Sequence, residues 1–222
     1  ETRGDEDARV ARALAALGAG VYENSPVKSI RANGDGYQLE ANGHLISTRK
    51  VVIATDAYTD QLWPAVAQSY VNVASAQIAT DPLPAAVLAD LMPRRAGVSE
   101  TRKITYYCRI DPEGRFVIGG RGRSSDGIDP ATRSQLYQAA CERFPQLQGV
   151  AFPHGWACRV GMTVDDLPHL HQLADGVWTA YGYCGRGVAL GTAMGRVLAG
   201  AVKGSPVHDY PVTPVQRIPL YQ

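Results

Sequence analysis

Residues 177–181, Val-Trp-Thr-Ala-Tyr, have strand composition. Gly182-Tyr183-Cys184-Gly185-Arg186-Gly187 follow as a glycine-rich turn, and residues 188–202 read as a small-residue helix. A helix start carries unpaired N–H groups and the positive end of the helix dipole, so such a turn favours negative charge. A Rossmann unit needs a second parallel strand after the helix, with an acidic residue near its end. Here Lys203-Gly204-Ser205-Pro206 and a proline-rich tail follow instead. The turn is therefore not the first βαβ of a nucleotide fold. Two readings stay open: a tight turn that lets the helix pack closely through Gly191, Ala193, Gly195 and Ala199, and a helix terminus facing an anion other than a diphosphate.

Other chemistry-bearing residues are less specific. Gly18-Ala19-Gly20 fails as a dinucleotide loop, because a helical stretch precedes it, a β-like one follows, and its sixth position is Glu23. His169 and His171 share one strand parity near Asp165 and Asp166, yet no third ligand has a recognisable spacing, so no metal is expected. Alternation puts Tyr107 and Arg109 on one strand face and Tyr106 on the other, lining either a pocket or an aromatic core. The four cysteines, Cys108, Cys141, Cys158 and Cys184, form neither Cys-x-x-Cys nor zinc spacing, which predicts free thiols in a reducing cytoplasm. No Ser-His-Asp or Cys-His arrangement is legible, and no catalytic acid or base is nominated.

The elements that position these residues follow from periodicity and turn signals. Residues 5–17 carry Val10, Leu14 and Leu17 on one helical face, with Asp5 as cap and Gly18 as stop; a short strand is expected at 20–23. Asn33-Gly34 and Asn42-Gly43 punctuate a three-stranded meander over 27–48. Lys50-Val51-Val52-Ile53-Ala54 reads as a parallel strand buried on both faces, and Thr55-Asp56-Ala57-Tyr58 lies where ligands collect beyond its carboxyl end. Strands are expected at 71–80, 101–110, 115–120 and 150–160, and helices at 84–91 and 129–144, the second capped by Asp129 with Pro130 in its first position. The 222 residues carry a net charge of +1 and are 45% hydrophobic. That fills a core, leaves no electrostatic footprint for nucleic acid, and offers no apolar run that spans a bilayer. No leader is legible, and a cytoplasmic protein is expected.

Taken together, the pieces resemble the FAD-dependent amine and amino-acid oxidoreductases of the D-amino-acid oxidase superfamily, most like the gamma-glutamylputrescine oxidase type. The likeness rests on Ser25-Pro26-Val27 with the meander and the run from Val51 to Tyr58; on residues 115–120; and on Trp156 to Thr163, Asp165, Leu167-Pro168 and Gly182 to Val188. It implies FAD, with backbone N–H groups of Gly185, Arg186, Gly187 and Val188 facing N1 and the C2 carbonyl of the flavin ring. It also implies Val27 against the adenine, and Ala54, Thr55, Asp56, Gly182 and Cys184 around the cofactor. Tyr107, Arg109 and Trp156 are the expected substrate contacts.

Two departures from the family pattern matter. The Gly-x-Gly-x-x-Gly strand and loop are absent, so the chain is expected to be a C-terminal fragment whose missing N-terminal segment is its partner. Amino-acid-oxidising relatives place an Arg four residues after the Trp, and Val160 stands there, with Arg159 on the opposite strand face. A bidentate carboxylate clamp needs a guanidinium aimed into the pocket, so a small-molecule amine is the expected substrate. The alternatives are an alpha-amino-acid oxidase or dehydrogenase using Arg159 or Arg121, and a truncated non-enzymatic binding module. Cys158 occupies a position that is a flavin-linked cysteine in monomeric sarcosine oxidases; noncovalent FAD is expected. The fold class is α/β with an α+β insertion: an incomplete three-layer FAD-binding domain (1–60 and 156–205), an antiparallel-sheet substrate domain (61–155), and a C-terminal tail (206–222).

Overall fold

Two Asn/Gly turns shape the first half of the chain. The computed structural model describes residues 3–102, 105–207 and 210–218, with side chains from Arg9 onward. Asn42 and Gly43 both adopt positive φ (50° and 77°) between β2 (Gly36–Ala41) and β3 (His44–Thr48). Gly34 does the same (62°) after β1 (Val27–Asn33). The result is the antiparallel meander β1-β2-β3.

The chain divides into two compact units, Glu1–Tyr22 with Val73–Cys158, and Glu23–Asn72 with Arg159–Gln222. The second unit holds the meander and a mixed sheet ordered β10 (His169–Ala174), β11 (Val177–Tyr181), β4 (Val51–Ile53). β10 and β11 are antiparallel, whereas β11 and β4 are parallel. Val51, Ile53 and Val177 pack with Ile30, Tyr37 and Leu39 of the meander on one face. Leu170, Trp178 and Ala180 pack with Met194, Leu198 and Ala201 on the other. Those last three lie on α5 (Gly187–Val202), so the layers run meander, sheet, helix. Each large apolar side chain fully removed from water here contributes about 2 kcal/mol.

The first unit holds α1 (Arg3–Ala16), α3 (Ala85–Leu91), α4 (Pro130–Arg143), and the strands β6 (Val98–Ser99), β7 (Tyr107–Ile110) and β8 (Phe116–Arg121). The sheet order is β6-β7-β8-β5-β9. Its last two members, β5 (Val71–Ala79) and β9 (His154–Met162), cross the division. Ala76, Ile78, Cys108, Ile110, Phe116 and Ile118 face Leu88, Leu136 and Ala140 in one core. The Asp129 carboxylate caps α4, accepting from Thr132 N–H at 2.9 Å. A short helix, α2 (Pro64–Ala67), belongs to the other unit.

Four expectations are corrected. Residues 20–23 form no strand, because Gly18 ends the helical stretch at positive φ and the chain then runs into a turn. Val10, Leu14 and Leu17 are 55%, 43% and 84% exposed, so no described element covers that face. Val52 is 42% exposed: β4 is a three-residue edge strand, covered on one side only. The strand expected over 101–110 is confined to Tyr107–Ile110, since residues 101–102 bend and 105–106 carry no regular structure; residues 103 and 104 lie outside the described set, as do the Asp5 side chain and residues 208–209 and 219–222 of the tail. Among the described residues, no helix is long and apolar enough to cross a membrane.

Candidate functional site

β11 is buried along its whole length and delivers the chain into the glycine turn. Gly182 has φ +80°, and a Cβ there would stand 2.3 Å from Thr163 Cγ2. Thr163 is buried and donates from Oγ1 to the Leu167 carbonyl at 2.8 Å. Glycine is therefore required at 182 on two counts, backbone conformation and space. Cys184 (φ 50°) and Gly185 (φ 83°) continue the left-handed run, and a Cβ at Gly185 would meet nothing within 4 Å. The turn closes with Arg186 N–H donating to the Tyr183 carbonyl at 2.9 Å.

α5 then starts at Gly187, and its N-cap residue Arg186 provides no side-chain cap. The first N–H groups of a helix lack acceptors within it, so those of Gly187 and Val188 face outward from an exposed turn. The Arg186 guanidinium donates to the Asp166 carbonyl, which ties the turn to the loop after β9. Cys184 Sγ points inward, 3.2 Å from the Gly182 carbonyl oxygen and 3.4 Å from Thr163 Oγ1.

The end of β4 meets this turn. Ala54 and Thr55 are exposed, and Thr55 Oγ1 is 2.6 Å from Thr59 Oγ1. Asp56 has φ +42° and accepts the Gly182 N–H on Oδ1 at 2.8 Å. Of the residues expected around the cofactor, Asp56 at the end of β4 is thus brought against Gly182 of the turn. Val27 opens β1 opposite Ala41, on the meander.

A buried chain of polar groups under the sheet was not legible from motif spacing. His171 Nδ1 faces the Thr213 carbonyl, His171 Nε2 is 2.8 Å from the Tyr181 hydroxyl, and Ser69 Oγ is 2.6 Å from that hydroxyl. Burial pushes the Tyr181 phenol up to about 12 against the opposing Ser69 hydrogen bond. Burial also holds His171 below the usual imidazole range. The Tyr183 phenol is likewise pushed up to about 12, by burial first and then by the nearby Asp56 charge. Both histidines on β10 are thus committed: His171 to Tyr181 and Thr213, His169 to Asp165 at 3.0 Å. Among the described residues no group of three potential metal ligands gathers.

In the first unit, the Tyr107 ring lies flat over Gly119, where a Cβ would stand 2.4 Å from it. Its hydroxyl is 3.0 Å from Ser75 Oγ. Tyr106 takes the other face, over Gly120 and beneath the Arg143 guanidinium. Gln77 stands opposite Gly119 on β5, with its Oε1 buried and unpartnered. Arg109 follows the Tyr107 parity and is partly exposed. A Cβ at Gly155 would meet Arg133 and Ile128, and the next residue of β9, Trp156, is 40% exposed. Cys158 is a free, partly buried thiol. In the second unit, Arg159 donates its backbone N–H to the Tyr58 hydroxyl and lays its guanidinium over that ring, 5.5 Å from the centroid.

A family model described as FAD dependent oxidoreductase (DAO) matches residues 8–201. The chain is 28% identical over 199 residues to the probable oxidoreductase OrdL of Haemophilus influenzae, covering 88% of this chain and 45% of that protein. It is 26% identical over 199 residues to gamma-glutamylputrescine oxidoreductase of Escherichia coli, covering 87% and 46%. Among solved structures, glycine oxidase from Geobacillus kaustophilus aligns with a TM-score of 0.73 at 22% identity, covering 90% of this chain and 53% of that one. Iminodiacetate oxidase from Chelativorans aligns with a TM-score of 0.75 at 19% identity, covering 94% and 58%. The chain spans about half the length of the curated relatives it matches.

Proposed function

We propose, from the premise that this chain belongs to the DAO family of FAD dependent oxidoreductases, that it is part of a flavoenzyme oxidising the C–N bond of a small amine. The observation that carries this reading is the exposed glycine turn running into an α5 N-terminus without a side-chain cap. The fit is chemical: preorganised N–H donors suit a ring that gains negative charge on reduction. When bound, FAD supplies the hydride acceptor for the amine carbon, and the imine left on the substrate hydrolyses.

The chain's own residues supply position and field. Gly185, Gly187 and Val188 present backbone N–H groups to the flavin ring, whereas the Arg186 N–H, expected there too, is spent closing the turn on the Tyr183 carbonyl. Ala54, Thr55, Asp56, Gly182 and Cys184 shape the surrounding turn, and Val27 backs the adenine. On this reading residues 1–60 and 156–205 belong to the FAD-binding domain, and the antiparallel sheet within 61–155 belongs to the substrate domain. A longer intact polypeptide supplies the diphosphate-binding loop. FAD is held noncovalently, as the family resemblance implies, and the enzyme works in the cytoplasm.

Tyr107, Arg109 and Trp156 contact the substrate. The preference for an amine rests on Val160, where amino-acid-oxidising relatives carry an arginine, and on Arg159, whose guanidinium rests on Tyr58. The name of the gamma-glutamylputrescine relative favours the same class. Similarity to the glycine oxidase of Bacillus licheniformis, at 26% identity, favours the competing amino-acid reading.

Two measurements test this. The intact polypeptide should show absorption bands near ~450 and ~370 nm, the signature of the flavin assignment. Substrate profiling should then favour amines over alpha-amino acids, and Val160→Arg should shift the preference toward amino acids. A colourless intact protein overturns the cofactor reading; preference of the unmodified enzyme for amino acids overturns the amine reading.

A further inference from the structure

Asp56 does more than flank the turn. It is a non-glycine residue held at φ +42°, a conformation that costs an L-residue free energy and persists only where the surroundings enforce it. The enforcement is visible. The Asp56 carbonyl accepts from the Tyr70 hydroxyl at 2.9 Å and from Thr59 N–H at 3.1 Å, and Tyr70 is fully buried. Held this way, the side chain reaches across to the end of β11, where Oδ1 takes the Gly182 N–H at 2.8 Å. Gly161 of β9 lies close beneath: a Cβ there would stand 3.5 Å from Asp56 Oδ1, and its carbonyl accepts the Cys184 N–H at 3.3 Å. Three strand ends therefore converge on one carboxylate.

We propose that Asp56 is a positioning residue that clamps the glycine turn through Gly182 N–H and sets a fixed negative charge beside it. This rests on the flavin reading for its functional consequence, though the clamp itself does not. The clamp fixes where the following N–H donors point. The charge opposes the positive field of the α5 N-terminus, so the residue moderates how strongly the turn stabilises added negative charge on a bound ring. The field at the turn is already perceptible in the Tyr183 phenol, which burial and the Asp56 charge together raise.

The test compares Asp56→Asn with Asp56→Gly in the intact polypeptide. Asn keeps an acceptor and tolerates left-handed backbone, but removes the charge. Gly relaxes the backbone and removes both acceptor and charge. Amide exchange at Gly182 should be preserved in Asp56→Asn and accelerate roughly tenfold or more in Asp56→Gly, the loss of one charge-assisted hydrogen bond. The midpoint potential of bound flavin should move positive in Asp56→Asn, and the Tyr183 phenol, followed by NMR with labelled tyrosine, should titrate lower. Unchanged Gly182 exchange in Asp56→Gly overturns the clamp. An unmoved Tyr183 titration and potential in Asp56→Asn overturn the electrostatic role. If the intact protein binds no flavin, the functional reading above fails instead, while exchange and the Tyr183 titration still decide the clamp and its charge.

Discussion

Gly182→Ala should destabilise the second unit severely, and Thr163→Ser should rescue much of the loss. The added Cβ meets two costs. Holding alanine at φ +80° costs about 1–2 kcal/mol. The second cost is steric, since the Cβ would sit 2.3 Å from Thr163 Cγ2. Thr163 cannot swing aside freely, because it is buried and its Oγ1 is anchored on the Leu167 carbonyl at 2.8 Å. Overpacking of this kind costs about 1–3 kcal/mol, so the total is about 2–5 kcal/mol. Thr163→Ser deletes the obstructing methyl and keeps the hydroxyl. In that background only the backbone cost remains, which leaves a coupling of about 1–3 kcal/mol in the double-mutant cycle. Urea denaturation followed by tryptophan fluorescence measures each corner of the cycle, with Trp63 and Trp178 reporting from this unit. Additive effects within about 0.5 kcal/mol would refute the steric argument, and a single-variant cost below about 1 kcal/mol would refute both parts.

Three further outcomes are expected. His171 is neutral and buried, with a folded pKa below that of the unfolded chain. Its contribution is therefore fully present above the unfolded value of about 6.5 and is lost as pH falls through the lower folded value; thermal melts between neutral and acid pH should show this slope, and His171→Gln should flatten it. Gln77→Met replaces a buried, unpartnered carbonyl oxygen with an apolar group of similar length and should stabilise the protein by about 1 kcal/mol, read as a rise in urea midpoint at constant m. Gly119→Ala should displace the Tyr107 ring and break its 3.0 Å contact with Ser75; on the proposed function this raises KM for the amine more than it lowers kcat, and an unchanged KM would remove Tyr107 from the substrate site.

Much of the architecture was written locally. Asn42-Gly43 and Asn33-Gly34 fold the meander because their residues tolerate left-handed backbone. Asp129 with Pro130 starts α4 because a carboxylate and a preset φ satisfy a helix beginning. Gly182 to Gly187 announced a turn between strand and helix for the same kind of reason. Where such signals were weaker, tertiary contacts ruled. The β-like run at 20–23 lies between the Gly18 stop and a turn and pairs with no strand among the described residues, and the strand expected over 101–110 is limited to the residues that pair with β6 and β8.

The site divides along the same line. Residue types and spacing alone determined that a glycine turn precedes the last helix, that Thr55 and Asp56 end a strand, and that Tyr107 and Arg109 share a face, because these depend on neighbours a few positions apart. Only the tertiary structure decided that Asp56 holds Gly182, that Thr163 forbids a side chain there, and that His171 is sealed between Tyr181 and Thr213. Those pairs lie between 10 and 126 residues apart in the chain. No periodicity encodes such a meeting; it exists because the packed sheet brings distant strand ends within the short range of a hydrogen bond or a steric contact.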